Sequence, residues 1–428
     1  LKIISSNAYA IYFIYNNFLL SDSSKLFIYN NSRSMVLGPF TDLNNNSHNS
    51  FSTQLVNGDT MILEYQEYIN NFDSAQIQIS QIIHDYRNIM NFPDGPHGTS
   101  DLECQINVAC PQGNDWQNEI RSVGLITVGG GLCSGALLNN MHEDGTPYFL
   151  TACHCIDNNG DGVISNSEQN EAQNMVIYFN HEAGKCGNNT WNDLQTISGA
   201  GLLSYSPNSD FALFLLNYTP PSNFGIHFAG WSRENAPATS SVGIHHPKGD
   251  IKKISLDNGP AYNQWWTQPW TEGPDSPPNT HWVVTFDEGR TEQGSSGSPL
   301  FDQNHRVVGQ LHGGTASNCT TVTEKLYGKI AVSWEGDGSL SSRLKDYLDP
   351  DGTGATALDG WDNTCNTYKN ISETINSGTV LRSANKVLTA NSYIINSGAD
   401  VTFTALSRRS LTSFSSDLSC FANSCIGK

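Results

Sequence analysis

The segment Glu292-Gln293-Gly294-Ser295-Ser296-Gly297-Ser298-Pro299 constrains this chain more than any other. A serine flanked by glycines lets nearby backbone amides turn toward one point without Cβ clashes, which is what an oxyanion-binding nucleophile loop requires. The amides of Gly294 and Ser296 are the expected donors, and Ser296 the expected nucleophile. Such a serine needs a base, and the base needs a group that orients it. Thr151-Ala152-Cys153-His154-Cys155 supplies a histidine behind the apolar run Tyr148-Phe149-Leu150, and Ser209-Asp210-Phe211-Ala212-Leu213 supplies an aspartate leading into another apolar run. Alone, each segment reads as a turn, a core histidine or a cap. Together they place His154, Asp210 and Ser296 in the chain order found on paired β-barrels, one of three orders in which this triad recurs.

Other stretches extend the pattern: Cys104-Gln105-Ile106-Asn107-Val108-Ala109-Cys110-Pro111, Ala229-Gly230-Trp231-Ser232-Arg233, Ile244-His245-His246-Pro247, Gly309-Gln310-Leu311-His312-Gly313-Gly314 and Leu348-Asp349-Pro350. With the triad, they make residues from about 104 to about 360 resemble a bacterial lysyl endopeptidase, a secreted branch of the chymotrypsin-like serine proteases. The resemblance covers about three-fifths of the chain, and the Gly309–Gly314 stretch is far more specific to the family than Gly-x-Ser-Gly. It implies an all-β fold with a chymotrypsin-like double antiparallel β-barrel, six strands to each barrel. It implies peptide-bond hydrolysis on protein and peptide substrates through an acyl-enzyme at Ser296, with no cofactor for catalysis. It also implies the disulfides Cys104–Cys319, Cys110–Cys186 and Cys133–Cys155, and an aromatic wall formed by His312 and one of Trp265, Trp266 or Trp270, beside the substrate-lining Gly313 and Gly314. Cys153, Cys365, Cys420 and Cys425 are left over; Cys153 is either a free buried thiol or the partner of Cys365, and the last two are close enough to close a small loop.

Substrate choice is where the chain departs from this family. Lysyl endopeptidases recognise lysine through an aspartate two residues before a Tyr-Gly pair; here Tyr327-Gly328 is preceded at that place by Lys325, with Glu324 one residue earlier. Arg290, six residues before Ser296, falls where the wider chymotrypsin group has the floor of its specificity pocket. Two readings stand. Lys325 and Arg290 line the pocket, repel lysine and favour an acidic side chain. Alternatively they face solvent or pair with Glu324, Glu288 or Asp287, and Glu324 takes over lysine recognition. Ser295 stands where many relatives carry the aspartate that pairs with a freed amino terminus, so activation through that latch is not expected.

Directly after the histidine, Asp157-Asn158-Asn159-Gly160-Asp161-Gly162-Val163-Ile164-Ser165-Asn166-Ser167-Glu168 matches the twelve-residue calcium loop. Asp157, Asn159, Asp161, Ser165 and Glu168 would give side-chain oxygens, Val163 its carbonyl, and Gly162 the sharp turn. The alternative is a solvated Asn/Gly loop, and the segment leading in is a strand and a disulfide rather than a helix. His245 and His246, adjacent in an apolar strand, point to opposite faces and are expected to be structural.

The remaining chain suggests flanking modules. Residues 1–98 alternate apolar and polar positions, as in Lys25-Leu26-Phe27-Ile28-Tyr29, which predicts a small β-sandwich. This part resembles the pro-region ahead of lysyl-endopeptidase-like proteases, expected to assist folding or be removed, and the Pro/Gly-rich stretch 93–98 is the expected boundary. The protease domain then spans 99–360. Residues 361–428 repeat Ile375-Asn376-Ser377-Gly378 as Ile395-Asn396-Ser397-Gly398, the spacing of stacked β-turn units, and resemble the β-rich appendages of secreted Bacteroidota proteins. Ala8–Leu20 is apolar but lacks a basic flank and is too short to span a bilayer, and the chain reads as truncated upstream. With ten cysteines and a net charge of −19, it is expected to be extracellular or on a bacterial surface, monomeric, without a membrane span and without nucleic acid as a partner. The competing reading from another class is a non-catalytic, calcium-stabilised adhesion module on a protease scaffold, which has no need of an intact triad.

Overall fold

The structure is a computed structural model that describes residues 1–362 apart from 47, 68–74, 87, 89–103, 188–194, 264–275 and 316–322, and beyond 362 only the backbone of scattered strands up to 405. The boundary stretch at 93–98, the tryptophans at 265–270, Cys319, Cys365, Cys420 and Cys425 lie outside the described residues. The chain divides into two compact units, Leu1–Trp361 and Asp362–Lys428.

Two antiparallel barrels form the centre of the first unit. One consists of Val176–Phe179, Val123–Val128, Gly131–Leu138, Tyr148–Ala152, Phe211–Leu216 and a final stretch from Gln195 to Ser206 that bends at Gly199. Gln195–Ser198 pairs with Val176–Phe179 and Ala200–Ser206 pairs with Phe211–Leu216, so a single bent stretch closes the sheet on itself. Gly199 makes the corner at φ +81°, where a Cβ would lie 2.2 Å from the Asn217 side chain and 2.9 Å from the Gln173 carbonyl.

The second barrel runs His281–Val284, Lys325–Lys329, Arg306–Gly314, Pro299–Asp302, Ser241–His245 and Lys253–Asp257. It closes where Leu256 N–H donates to the Glu288 carbonyl and Asp287 N–H donates to that of Leu256, both at 2.8 Å. Short strands at Ile106–Asn107, Gly230–Ser232, Tyr262–Asn263 and Ala357–Leu358 extend its rim. The double six-stranded barrel implied by the resemblance is the architecture observed.

The period-2 alternation of a strand assigns neighbouring residues to different cores. Phe149, Ala212 and Phe214 fill the first barrel, while Leu150, Phe211 and Leu213 point the other way and join Trp231, Ile244, Ile254 and Phe301 in the seam between barrels. A smaller set around Trp282, Leu300, Leu311 and Tyr327 fills the second barrel. The disulfides Cys110–Cys186 and Cys133–Cys155 are formed, Cys104 is disulfide-bonded, and Cys153 is a buried free thiol.

The N-terminal residues form two four-stranded sheets around their own core. The apolar run near the start is the strand Ala10–Leu19, which pairs with Gln76–Asp85 and buries Phe13, Tyr15 and Phe18 completely. Its hydrophobicity is that of a core strand. Ala10, Tyr12 and Leu55 pack against Leu125, Val176 and Tyr178 on the outside of the first barrel. Hydrogen bonds from Leu55 N–H to Tyr178 Oη (3.2 Å) and from Ser198 Oγ to the Ser52 carbonyl (2.6 Å) fix the register of this contact. In the second unit strands pair in parallel, Thr374–Ile375 with Ile394–Ile395 and Gly378–Ala384 with Ala399–Ala405, so the sequence repeat is a stacking repeat, with Ile375 beside Ile395. No helix among the described residues is long and apolar enough to cross a membrane.

Leu55 is fully buried between the sandwich and the barrel. Leu55→Ala should lower the unfolding free energy by about 2–5 kcal/mol, and in urea the full chain should lose sandwich and barrel signals in one transition. Two separated transitions, with only the sandwich affected, would show that this contact does not couple them.

Candidate active site

His154 sits in a 3-10 turn, Cys153–Cys155, that ends the strand Tyr148–Ala152. Its Nδ1 lies 2.8 Å from Asp210 Oδ2, and its backbone N–H donates to Asp210 Oδ1 at 3.0 Å, so one carboxylate holds both ring and backbone. Asp210 is buried and adopts φ +54°, a left-handed conformation that aspartate tolerates better than most residues. The neighbouring barrel holds this turn in place. Gln310 Nε2 donates to the Ser209 carbonyl at 2.6 Å, and only the absence of a side chain at Gly328 allows that carbonyl so close, since a Cβ there would lie 1.7 Å from it.

Burial alone would push the Asp210 carboxyl up, but the charges of His154 and His312 and the hydrogen bonds from His154 outweigh it and hold the carboxyl below its ordinary range. His312 stacks on His154 with ring centroids 5.5 Å apart and 23° between planes. Its Nδ1 is 3.0 Å from His281 Nε2 and 3.8 Å from Asp210 Oδ2. Burial pushes His312 down to about 3 against the opposing pull of Asp210, and burial likewise pushes His281 down to about 4. Near neutral pH burial therefore keeps both rings neutral.

The nucleophile loop is bound to the histidine-bearing barrel at several points. Ser134 N–H donates to the Ser296 carbonyl at 2.7 Å and Ser134 Oγ donates to that of Gly294 at 2.9 Å. Gly297, at φ +79°, presses its backbone against the strand before His154; a Cβ would come within 2.1 Å of Thr151 Oγ1, 2.5 Å of the Ser134 carbonyl and 2.7 Å of Ala152 N. Within the loop, Ser295, Gly297 and Ser298 donate their amides to the carbonyls of Glu292, Leu311 and Ser295. The amides of Gly294 and Ser296 donate to no acceptor among the described residues. This is the division expected of a loop whose two remaining donors face a ligand.

Sequence reasoning missed the residues that support this loop. Ser134 is an unremarkable serine in an apolar strand. Ser295 is fully buried, with its Oγ 2.8 Å from His245 Nδ1 while accepting from Glu292 N–H at 3.1 Å, and His245 Nε2 reaches Ser255 Oγ at 2.9 Å. A neutral hydroxyl–imidazole–hydroxyl chain thus occupies the place of a charged latch; His246, on the opposite face, bonds the Asp250 carbonyl. The only sequence signal was the His245-His246 pair itself, whose structural role matches expectation.

Gly313 and Gly314 end the strand Arg306–Gly314. Gly314 is the register partner of Lys325, which is buried rather than solvent-facing and donates from Nζ to the Thr315 carbonyl at 2.7 Å. Glu324, Glu288 and Asp287 accept from Tyr262 Oη, Gln112 Nε2 and Asn258 N–H.

In the loop after the histidine, Asp157 Oδ2 accepts from Gly162 N–H at 2.7 Å and Gly162 turns at φ +79°, as the calcium-loop pattern asks. Glu168, however, closes the N-cap of the helix Asn166–Ala172 with Ser165, and its Oε1 accepts from Asn158 N–H. Among the described residues, the one group of three acidic, histidine or cysteine ligand atoms within 4.8 Å of one another is His154, Asp210 and His312. The carboxylates of Asp157, Asp161 and Glu168 do not converge in this way, and the backbones of Asn159 and Val163 take part in the loop's internal hydrogen bonds to Glu168 and Asp161.

The model of the lysyl endopeptidase C-terminal domain matches residues 97–328, more than half of the chain and including His154, Asp210 and Ser296. The chain belongs to the lysyl endopeptidase family. Lysyl endopeptidase of Pseudomonas aeruginosa is 31% identical over 192 residues, 43% of this chain and 37% of that relative, so the match spans well under half of the relative's length. Among solved structures, a thermostable serine protease, AL20, from an extremophilic microorganism shares 13% identity over 50% of this chain and 92% of its own, with a TM-score of 0.36. Protease Anisep from Arthrobacter nicotinovorans shares 19% identity over 49% and 90%, with a TM-score of 0.34.

Ser134 tests how the loop is held. Ser134→Ala removes the donor to the Gly294 carbonyl and the acceptor of His246 N–H at 3.0 Å. It should slow acylation of Ser296 by a fluorophosphonate about tenfold or more, the size of losing one to two kcal/mol of positioning, while the melting temperature falls only a few degrees. Unchanged labelling would mean Ser134 does not position the loop.

Proposed function

We propose that the protein is a serine endopeptidase that hydrolyses peptide bonds through His154, Asp210 and Ser296. The observation that carries this reading is the partly buried 2.8 Å contact between His154 Nδ1 and Asp210 Oδ2, in a family member whose nucleophile loop keeps two amides without acceptors among the described residues. Ser296 Oγ attacks the substrate carbonyl while His154 Nε2 takes its proton; the same proton then passes to the leaving amine. Asp210 keeps the imidazole in the tautomer that leaves Nε2 free to accept, and its charge stabilises the imidazolium. The Gly294 and Ser296 amides receive the negative charge of the tetrahedral intermediate, a contribution of about 3–4 kcal/mol per donor in comparable sites. Water then enters by the same route and releases the acyl group. Disulfides among the described residues support an extracellular site of action, where oxidised cysteines persist.

Ser296→Ala should abolish turnover on a denatured protein substrate, and Asp210→Asn should lower kcat by about 10⁴-fold with the fold intact, because the imidazole loses its correct tautomer. Full activity in Ser296→Ala would overturn the assignment of the nucleophile. Parent activity no higher than that of Ser296→Ala would instead leave the adhesion-module reading, for which no other observation speaks.

Calcium is proposed only as a stabiliser of the loop from Asp157 to Glu168. Its sequence pattern and the Gly162 turn support this, whereas the use of Glu168 as a helix cap means the acidic ligands do not converge in this conformation. Millimolar calcium should raise the melting temperature of the full chain by several degrees and leave Asp161→Ala unmoved. No shift in the parent protein would remove calcium from the account.

A further inference from the structure

Lys325 is an unusual residue to find where it is. It is only 5% exposed, at the start of the strand Lys325–Lys329, between Val284 on one neighbouring strand and Gly314 on the other. Its side chain lies over Gly314, where a Cβ would be 3.2 Å from Lys325 Cδ, and its ammonium is held by the Thr315 carbonyl. A buried ammonium is stable only with good partners, and a carbonyl supplies a hydrogen bond but no charge. Among the described residues no carboxylate lies within ion-pair distance of Lys325 Nζ.

The strand Arg306–Gly314, which pairs with Lys325, is bonded to the nucleophile loop by Gly297 N–H donating to the Leu311 carbonyl and Leu311 N–H donating to that of Ser298, both at 2.8 Å. Lys325 interacts electrostatically with Arg290 and Glu292, which lie six and four residues before Ser296, and with His245, which bonds Ser295. The loop cannot move away from it easily, because Gly289 passes within van der Waals limits of Ile254 and Ser255, a Cβ there lying 2.5 Å from the Ile254 carbonyl. Burial, then Arg290, push the Lys325 ammonium down to about 8, while Glu292 pulls the other way. Glu292 is committed elsewhere, to Lys248 Nζ at 3.2 Å and Gln105 Nε2 at 2.9 Å. Glu324, the residue nearest in sequence that could replace a lysine-binding aspartate, is turned outward onto Tyr262. The Lys325 ammonium therefore lies close to the segment that leads to Ser296, and the carboxylates of Glu292 and Glu324 are both engaged elsewhere.

We propose that a recess beside Ser296 binds a carboxylate, so that the enzyme cleaves after glutamate or aspartate, with Lys325 as the residue that recognises the side chain. The proposal rests on the endopeptidase reading. An entering lysine would bring a second ammonium beside the desolvated Lys325, whereas an entering carboxylate supplies the counter-charge that Lys325 lacks.

The test uses the full chain on a denatured protein mixture with cleavage sites read by mass spectrometry, alongside three peptides differing only in Glu, Gln or Lys before the scissile bond. Fluorophosphonate labelling of Ser296 is followed in parallel, since that reaction does not depend on the side-chain recess. Cuts after Glu and Asp, with kcat/KM for the Glu peptide at least 100-fold above the Lys peptide, are expected. Lys325→Met should reduce the Glu-over-Gln ratio at least tenfold, and Lys325→Arg should keep most of it. Labelling together with cuts after lysine, or a Glu preference unchanged in Lys325→Met, overturns the carboxylate recess and leaves the hydrolase reading standing. Neither labelling nor cuts above Ser296→Ala overturns both.

Discussion

The two barrels meet at the catalytic groups through a contact that only a glycine can make. Gly297 lies directly against Thr151, Ala152 and Ser134, so the loop carrying Ser296 and the strand delivering His154 are pressed together by backbone rather than by side chains. A second approach of the same kind, Gly328 against the Ser209 carbonyl, brings the aspartate turn to the other side of the seam. The apolar residues of the seam bind the barrels in general terms, through area removed from water. The two glycines decide the relative position of the catalytic groups. Any side chain at either place would separate parts whose chemistry depends on hydrogen-bond distances.

Around this junction, charge is arranged economically. Asp210 is the buried anion facing His154, and the stacked His312 and His281 stay neutral because burial disfavours their protonation. Under Gly294 and Ser295 the polar support of the nucleophile loop is likewise uncharged, built from serine hydroxyls, an imidazole and backbone carbonyls, while Glu292 at its start pairs with Lys248. A site of this kind has little charge to reorganise when negative charge develops on the substrate, which is the condition for strong electrostatic stabilisation.

Much of this was legible in the sequence because the functional groups sit at the ends of strands with strong apolar patterns. His154, Asp210 and Ser296 each adjoin such a run, and the tail's stacking was visible as Ile375-Asn376-Ser377-Gly378 repeated at 395. The strand Ala10–Leu19 was harder to read, since a buried strand is apolar on both faces and loses its alternation. Ser134 and Ser295 were not legible as supports, because a serine's role there is set by what another strand presents to it. Thr151, Gln310 and His281 follow the same rule: their partners are 17, 101 and 31 residues away in sequence. The calcium-loop pattern shows the converse, a motif matched at every position whose acidic side chains are engaged with nearby backbone amides.

The docking of the N-terminal sandwich has a consequence for what cleavage between the modules can achieve. Leu125, Val176 and Tyr178 lie on the outer wall of the first barrel and are buried together with Ala10, Tyr12 and Leu55. If the sandwich departed, that wall would present a greasy patch to water, together with an unanswered Tyr178 hydroxyl. A cut between the modules would therefore change the connectivity of the chain without touching the apolar contact itself, because none of these six side chains depends on the severed bond for its packing.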